Sequence, residues 1–294
     1  MKPSQSEFVT LRDKRFHLRT WGAADAPLLV MLHGWGDVAA TWQFVVDAFA
    51  QEWRIVAPDL RGFGQSQGNN STYWFADYVA DLDALLEHLS PNAPVKLVGH
   101  SLGGNLVSLY AGVRPERVTR LVNLEGTGLP PHPAEMAPTR MANWLNVLRE
   151  KDQGKLPWFK SYANHAEFAV RLKRDNPRLT DERAEFMAAN LGEVKADGTI
   201  GLAADVHHRW DSPNLYRVEE YMAIWRKIAA PALMITGEHS FLFSRFFGKD
   251  APEYRRRVEC FQNIQEVALA DSGHNMHHDE PERVAALIEE FMLR

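Results

Sequence analysis

Short runs of apolar residues alternate with amphipathic segments along most of the chain. A continuously apolar run suits a strand that is buried on both faces, as in a parallel sheet covered by helices. The strands that these runs predict are 28–32, 54–59, 95–99, 119–125, 232–237 and 265–270. The segments 8–11 and 15–21 predict an antiparallel hairpin at one edge of the sheet. Strands that alternate with helices in this way indicate an α/β fold.

Apolar residues three or four positions apart predict amphipathic helices between these strands. One helix precedes the strand at 95–99, and its apolar positions are Phe75, Tyr78, Val79, Leu82, Leu85, Leu86 and Leu89. Another closes the chain, with an apolar face formed by Val284, Leu287, Ile288 and Phe291. Pro281 fits the first turn of this final helix, where a backbone N–H would have no helical partner.

The alternation of strands and helices stops between about Leu129 and Tyr216. The proline-rich stretch 129–133 cannot sustain regular structure. Helical spacing then returns, with apolar positions at Met141, Trp144, Leu145, Leu148, Phe186, Met187 and Leu191. We therefore predict a core formed by 1–128 and 217–294, with a helical cap at 129–216 inserted between its two parts.

Part of the aromatic content falls in this predicted cap. The chain carries 15 Phe, 9 Trp and 7 Tyr. Those in the insertion include Trp144, Trp158, Phe159, Tyr162, Phe168, Phe186 and Trp210. They favour a cap over an apolar cleft, because ligand sites often lie between subdomains. The alternative is a helical extension that buries only its own core.

Composition excludes several other classes of protein. The 294 residues are 45% hydrophobic and 24% charged, as in globular domains. A net charge of −5 argues against a general binder of nucleic acid or of anionic membranes. The single Cys260 excludes an internal disulfide framework and a multi-cysteine metal site. The first 20 residues lack a signal-peptide core, and no apolar run is long enough to cross a bilayer. We expect a soluble, cytoplasmic enzyme.

The strongest chemical signal is the stretch 99–104, Gly-His-Ser-Leu-Gly-Gly, between a predicted strand and a helix-like run. This context is what a nucleophile elbow requires, since glycines allow a tight turn that exposes the Ser101 hydroxyl. Backbone N–H groups at the start of the following helix could stabilise a developing oxyanion. The alternative is a structural serine that caps the helix, which would not need all three glycines.

Ser101 needs a general base, because a serine alkoxide is inaccessible at neutral pH. His274 is the best candidate, since it follows the last predicted strand in a loop at the carboxyl edge of the sheet. His277 and His278 lie close by and raise the alternative of a zinc site. No third acidic ligand stands at helical spacing, and a metal would sequester the base. We therefore predict no metal and no cofactor.

Taken together, these stretches resemble the α/β-hydrolase superfamily, in its cap-bearing serine esterase branch related to the haloalkane dehalogenase-like group. The matching motifs are 33–37, 59–66, 99–104 and 272–274. The resemblance implies an α/β-hydrolase fold, with a mostly parallel eight-stranded sheet flanked by helices and a cap after the sixth strand. It implies that the backbone N–H groups of Trp35 and Leu102 form an oxyanion hole. It also suggests that Arg61 is held in an ion pair.

One departure from the family concerns the acid that orients the base. The common position after the seventh strand holds Ser240, and a hydroxyl cannot supply the charge that stabilises an imidazolium. A second position used in the superfamily, at the end of the sixth strand, holds Glu125. We therefore predict a triad of Ser101, Glu125 and His274. Glu238 is the main rival acid and Asp271 a weaker one, and Glu125 could instead cap a loop at the cap hinge.

The identity of the nucleophile selects the chemistry. The superfamily also contains haloalkane dehalogenases and epoxide hydrolases, which resemble each other in having an Asp nucleophile. Ser101, by contrast, would attack an acyl carbonyl. Leu102 also lacks the indole N–H that such dehalogenases offer to a halide. We predict a carboxylesterase-like serine hydrolase of a small, apolar acyl substrate, with no nucleic-acid or membrane partner.

Two other functions stay open. One is a carbon–carbon bond hydrolase of ring-cleavage products, for which Arg140, Arg171 and His165 could hold an acidic substrate. The other is a ligand-binding receptor on a hydrolase scaffold. His207 and His208, also in the insertion, are interpreted as solvated or packing residues.

Overall fold

The computed structural model describes residues 1–69, 71–155, 159–248 and 251–294. Trp158, which we placed among the cap aromatics, lies outside the described residues. The strands within them are β1 (Ser4–Leu11), β2 (Lys14–Trp21), β3 (Leu28–Leu32), β4 (Arg54–Pro58), β5 (Val95–His100), β6 (Val118–Leu124), β7 (Ser161–Tyr162), β8 (Gly192–Val194), β9 (Ile200–Leu202), β10 (Ala232–Gly237) and β11 (Ile264–Leu269). The six strands predicted from apolar runs are all present.

The central sheet has eight strands in the order β1-β2-β4-β3-β5-β6-β10-β11. β2 pairs antiparallel with both β1 and β4, and the remaining neighbours are parallel. The predicted α/β fold with a mostly parallel eight-stranded sheet is confirmed. The hairpin is longer than predicted, since β1 begins at Ser4 and pairs as far as Trp21. Its first residues lie on an exposed edge, so they carry no apolar signal.

Helices lie on both faces of this sheet and in the segment between β6 and β10. They are α1 (Gln43–Ala48), α2 (Phe75–Leu89), α3 (Leu102–Val113), α4 (Ala137–Asp152), α5 (His165–Asp175), α6 (Asp181–Leu191), α7 (Val218–Trp225), α8 (Pro252–Val258), α9 (Met276–Asp279) and α10 (Pro281–Met292). The apolar sides of α2, α3 and α7 pack on one face, and those of α1 and α10 on the other. No helix in the described part of the chain is long and apolar enough to cross a membrane.

The alternation of side chains along β5 explains why its sequence is continuously apolar. Leu97 points into the core beneath α2 and α3, whereas the next residue, Val98, points into the core beneath α1 and α10. Both are completely buried. A strand buried on both faces has no polar side to show, which is why its period of two is invisible in the sequence.

Between β6 and β10 the chain leaves the sheet and forms α4, α5 and α6, as the helical spacing predicted. It also forms a small antiparallel sheet in the order β7-β9-β8, which we did not predict. Strands of two or three residues are too short to show an alternating pattern. The domain boundaries at 128/129 and 216/217 stay predictions.

The aromatic residues of this insertion serve two purposes. Tyr162 and Phe168 stack on each other and join Met187 and Ile200 in a separate apolar cluster. To that extent the insertion buries its own core. Trp210, by contrast, lines a cavity that it shares with Ser101 and His274, which follow strands of the main sheet. The insertion thus buries a core of its own and also contributes to a cavity wall, and its role as a cap stays a prediction.

A buried ion pair supports the loop after β4. The Arg61 guanidinium contacts Asp81 of α2 through Nε at 2.7 Å and also through Nη2. Both side chains are less than a tenth exposed. The prediction that Arg61 is held in an ion pair is confirmed.

We expect Arg61→Met to lower the free energy of unfolding by about 3 kcal/mol, because Asp81 would stay buried without its main partner. Arg114→Met is the matched control. Arg114 lies 3.5 Å from Asp83 and both side chains are largely exposed, so the loss should stay below about 1 kcal/mol. Denaturant titration of the two variants measures the difference. Equal losses would contradict a structural role for the Arg61 pair.

Candidate active site

Ser101 occupies a sharp turn between the end of β5 and the start of α3. Its φ of 50° and ψ of −111° lie in a region that non-glycine residues rarely adopt. The turn brings backbones into close approach, since a Cβ on Gly103 would lie 2.2 Å from the Leu32 carbonyl oxygen. One on Gly99 would lie 2.3 Å from the Gly103 carbonyl oxygen. The glycines of the motif are thus required by packing, as the predicted elbow demands.

Two loops meet at this turn. The Gly103 N–H donates to the His33 carbonyl at 3.1 Å, which ties the loop after β3 to the start of α3. Trp35, in that loop, and Leu102 both line the cavity that contains Ser101. Neither backbone N–H donates to an acceptor among the described residues. They are the two groups that the family resemblance assigned to an oxyanion hole.

Glu125 lies directly after β6 and contacts the predicted base. Its Oε2 lies 2.6 Å from His274 Nδ1. The Gly237 N–H donates to Oε1 at 2.8 Å, and the Ser240 hydroxyl donates to Oε2 at 2.6 Å. The residue is only 3% exposed, so these donors replace the water that the carboxylate loses on burial. Its backbone has a φ of 54°, which turns the chain out of the strand.

The rival acids lie elsewhere. Glu238 and Asp271 are both exposed, and neither forms a hydrogen bond or ion pair with His274 in the described part of the chain. Ser240 has a role that sequence reasoning missed. It stands at the common acid position and, instead of supplying charge, donates a hydrogen bond to the carboxylate from the other position. The structure thus brings Glu125 to His274 and leaves the alternatives apart.

Ser101 and His274 line the same cavity, together with Glu125. The Ser101 hydroxyl makes no hydrogen bond to the imidazole among the described residues. Hydrogen bonds between a nucleophile and its base are often loose in ligand-free enzymes and tighten when substrate is bound. The position of Ser101 and His274 on the wall of one cavity is therefore compatible with roles as nucleophile and base.

A buried group of polar residues supports the backbone of His274. His100 Nε2 lies 2.8 Å from the His274 carbonyl oxygen, and its ring lies 4.2 Å from that of His277. Burial holds the pKa of His100 well below its usual value and lowers that of His277 to about 3. Both rings are therefore neutral near pH 7. Sequence reasoning missed this role, although His100 lies inside the serine motif.

The same group is where a metal ion could bind. Asp37, His100 and His277 each place a ligand atom within 4.8 Å of the others, and all three are buried. Two imidazoles and a carboxylate form a donor set that suits zinc. This set differs from the His274, His277 and His278 combination that the sequence suggested. The absence of a metal stays a prediction.

The cavity in front of Ser101 has a volume of about 420 Å³ and lies between the sheet and the inserted segment. Apolar side chains from both sides line it, including Trp35, Phe75, Leu102, Leu129, Trp210, Phe241, Leu242 and Phe246. The residues from Phe241 to Phe246 follow β10, in a stretch where the sequence analysis predicted no site residues.

The paired histidines of the insertion also line this cavity. The His208 ring stacks between Phe63 and Tyr73, with both ring centroids 3.8 Å away. Burial lowers the pKa of His208 to about 4. His207 is also buried. Of the two alternatives that we gave for these residues, packing applies and solvation does not.

The model of one protein family, described as the α/β-hydrolase fold, matches residues 27–281. The chain belongs to the α/β-hydrolase family.

Relatives of this α/β hydrolase cover nearly its whole length. The serine hydrolase-like protein of Danio rerio is 24% identical over 278 residues, which are 93% of this chain and 84% of that protein. Epoxide hydrolase 4 of Mus musculus is 32% identical over 302 residues, covering 97% of this chain and 79% of the relative. The chain is thus a hydrolase of the α/β-hydrolase superfamily.

A solved structure of similar fold is a thioesterase domain from the curacin biosynthetic pathway. It has a TM-score of 0.83 and 24% identity, and the match covers 98% of this α/β hydrolase and 99% of that domain. At this identity the likeness concerns the fold alone.

The contacts of Glu125 lead to a first test of this site. We expect Glu125→Gln to lower the turnover of a chromogenic short-chain ester by about a thousandfold, because an amide cannot stabilise a charged imidazole. Glu238→Gln should leave turnover unchanged, since Glu238 is exposed. Steady-state kinetics on both variants decide the matter. The reverse ranking would remove Glu125 from the site.

Ser240 allows a complementary test. Its hydroxyl lies 2.6 Å from the Glu125 oxygen that also faces His274. An Asp at 240 should therefore reach the imidazole, and Ser240→Asp added to Glu125→Gln should recover about tenfold or more of the lost turnover. In the wild-type background the same Ser240→Asp change should lower turnover, because two carboxylates would crowd one imidazole. A double variant no faster than Glu125→Gln would contradict this geometry.

Proposed function

We propose that this α/β hydrolase is a serine hydrolase that cleaves a carboxylic ester, or a related acyl bond, of a small substrate. The observation that carries the proposal is the contact of 2.6 Å between His274 Nδ1 and Glu125 Oε2, on the wall of the cavity that contains Ser101. The strained turn at Ser101 supports it, because non-glycine residues held in such conformations concentrate at functional sites.

In this proposal His274 removes the proton from the Ser101 hydroxyl while the serine oxygen attacks the carbonyl carbon of the substrate. Glu125 stabilises the imidazolium that forms, through the hydrogen bond to Nδ1. The imidazolium then protonates the leaving alcohol, and an acyl group remains on Ser101. A water molecule deprotonated by His274 attacks this ester and releases the acid.

The carbonyl oxygen gains negative charge at each attack. The backbone N–H groups of Trp35 and Leu102 are available to stabilise it, since neither has an acceptor among the described residues. Leu102 is also the first residue of α3, so the positive end of the helix dipole reinforces its N–H. Pre-oriented donors of this kind supply a large part of the rate enhancement in acyl transfer.

The cavity supports a small substrate with an apolar part. A volume of about 420 Å³ lies within the range of small-molecule sites. Half-exposed Trp35 and Phe246 stand at its edge, where they can contact an acyl chain or a leaving group.

The nucleophile argues against one activity that a relative's name suggests. Epoxide hydrolase 4 of Mus musculus is a relative by sequence. An epoxide must be opened by attack on an alkyl carbon, which in this superfamily falls to an Asp nucleophile. Ser101 stands at that position here. We therefore favour acyl transfer over epoxide opening.

Turnover of a chromogenic short-chain ester tests the proposal, with Ser101→Ala as the blank. We expect steady product release over many turnovers, and a loss of about a thousandfold or more in the Ser101→Ala variant. A panel that varies acyl length and leaving group extends the same assay. A single burst without turnover would support a receptor instead. Activity that survives in Ser101→Ala would contradict the serine mechanism.

A further inference from the structure

The wall of the cavity formed by the insertion carries polar groups that have no partner. Arg140, His207 and Trp210 all line the cavity that contains Ser101. His207 Nε2 and Trp210 Nε1 are buried and have no hydrogen-bond partner among the described residues. Buried polar atoms are nearly always hydrogen-bonded in proteins. A set of such atoms on the wall of a ligand cavity therefore indicates a ligand with matching polar atoms.

Arg140 supplies the positive charge of this set. Its guanidinium is tethered to the protein through Nε and Nη2, which donate to the Ser212 carbonyl at 3.2 Å and 2.8 Å. Its Nη1 makes no hydrogen bond to any described residue. The side chain is only 11% exposed. A guanidinium that is hydrogen-bonded on one edge and has a donor without an acceptor on the other is already oriented to bind an anion.

His207 and Trp210 lie next to each other beside the residues that hold Arg140. The two rings form an edge-on pair with centroids 4.2 Å apart. His207 Nδ1 contacts Asp205, which also accepts a hydrogen bond from the Tyr73 hydroxyl at 2.5 Å. Asp205 thus fixes the orientation of the imidazole, and Nε2 is the ring nitrogen without a hydrogen-bond partner among the described residues. The Trp210 indole N–H can only donate, and no described residue accepts from it.

We propose that Arg140 and Trp210 form a subsite for a carboxylate on the substrate, beside His207 and within the same cavity as Ser101. That the bound substrate is an ester rests on the proposed function, whereas the binding of a carboxylate at this subsite does not depend on it. The substrate class is an ester that also carries a free carboxylate, separated from the scissile bond by a short apolar stretch. An ester without the second acid group would leave Arg140 Nη1 and Trp210 Nε1 without an acceptor among the described residues.

The choice of a carboxylate follows from the donors. The guanidinium edge of Arg140 and the indole N–H of Trp210 both donate, and a carboxylate offers planar acceptors to both. Among the described residues of the cavity wall, Asp211 is the acidic side chain that contacts Arg140. The Asp211 Oδ1 atom lies 3.4 Å from Arg140 Nη2, and the Asp211 side chain is 64% exposed. Because such an exposed ion pair is weak, a bound carboxylate can replace Asp211 as the partner of Arg140.

Matched pairs of substrates test the subsite. Each pair consists of the monomethyl ester of a dicarboxylic acid, from succinic to suberic, and the monoamide of equal size. A second set places the acid on the alcohol side, as O-acetyl hydroxy acids and their amides. At the best chain length we expect kcat/KM to favour the acid by about tenfold or more.

Substitution of Arg140 should collapse this preference. In Arg140→Met the ratio of acid to amide should fall to about one, because the charged hydrogen bond is lost. Arg149→Met, an exposed position on the same helix, is the control and should keep the wild-type ratio. Asp211→Asn should raise the ratio, since it removes the competing carboxylate. An acid-to-amide ratio that is the same in Arg140→Met and the wild type would overturn the subsite.

A binding measurement separates this inference from the proposed reaction. In the Ser101→Ala background, calorimetry should find that the acid esters bind more tightly than the amides, and that Arg140→Met removes the difference. This result would stand even if the wild type hydrolysed none of the esters, in which case only the proposed function would fail. Equal affinity for acid and amide at every chain length would refute the subsite, whatever the turnover.

Discussion

The arrangement of the candidate site depends on one buried carboxylate. Glu125 lies directly after β6, and its side chain contacts three separate parts of the chain: the end of β10 through the Gly237 N–H, the following turn through Ser240, and the loop after β11 through His274. Its own N–H donates to the Ile235 carbonyl, so its backbone is also fixed to β10. Because a buried charge is costly without partners, the contacts of Glu125 hold the ends of β6 and β10 and the loop after β11 in fixed positions.

Much of the fold could be predicted because buried strands and helices have recognisable patterns of apolar residues. Strands such as β5 are apolar throughout since Leu97 and Val98 face separate cores. The small sheet β7-β9-β8 shows no such pattern, because its strands are two or three residues long. The first residues of β1 were missed for a different reason, as they form an exposed edge that needs no apolar side chains.

In the candidate site, too, some features could be predicted from the sequence and others could not. Ser101 and His274 stand in motifs whose glycines and strand context specify a local geometry, so their shared cavity could be predicted. The supporting contacts could not be predicted in this way. His100 and Ser240 act through hydrogen bonds to residues 174 and 115 positions away, and only tertiary packing decides such partners. Arg140 lies on a helix with no buried residue, so its position on the cavity wall left no pattern in the sequence.

The proposed reaction depends on Ser101 as an activated nucleophile. A fluorophosphonate reacts only with a serine whose proton is withdrawn, and it leaves a covalent phosphonyl group that tandem mass spectrometry can locate. We expect one adduct, on the peptide that contains Ser101, formed rapidly in the wild type and about a hundredfold more slowly in His274→Ala. A wild-type protein that stays unmodified, or that is modified at another residue, would contradict the proposed reaction.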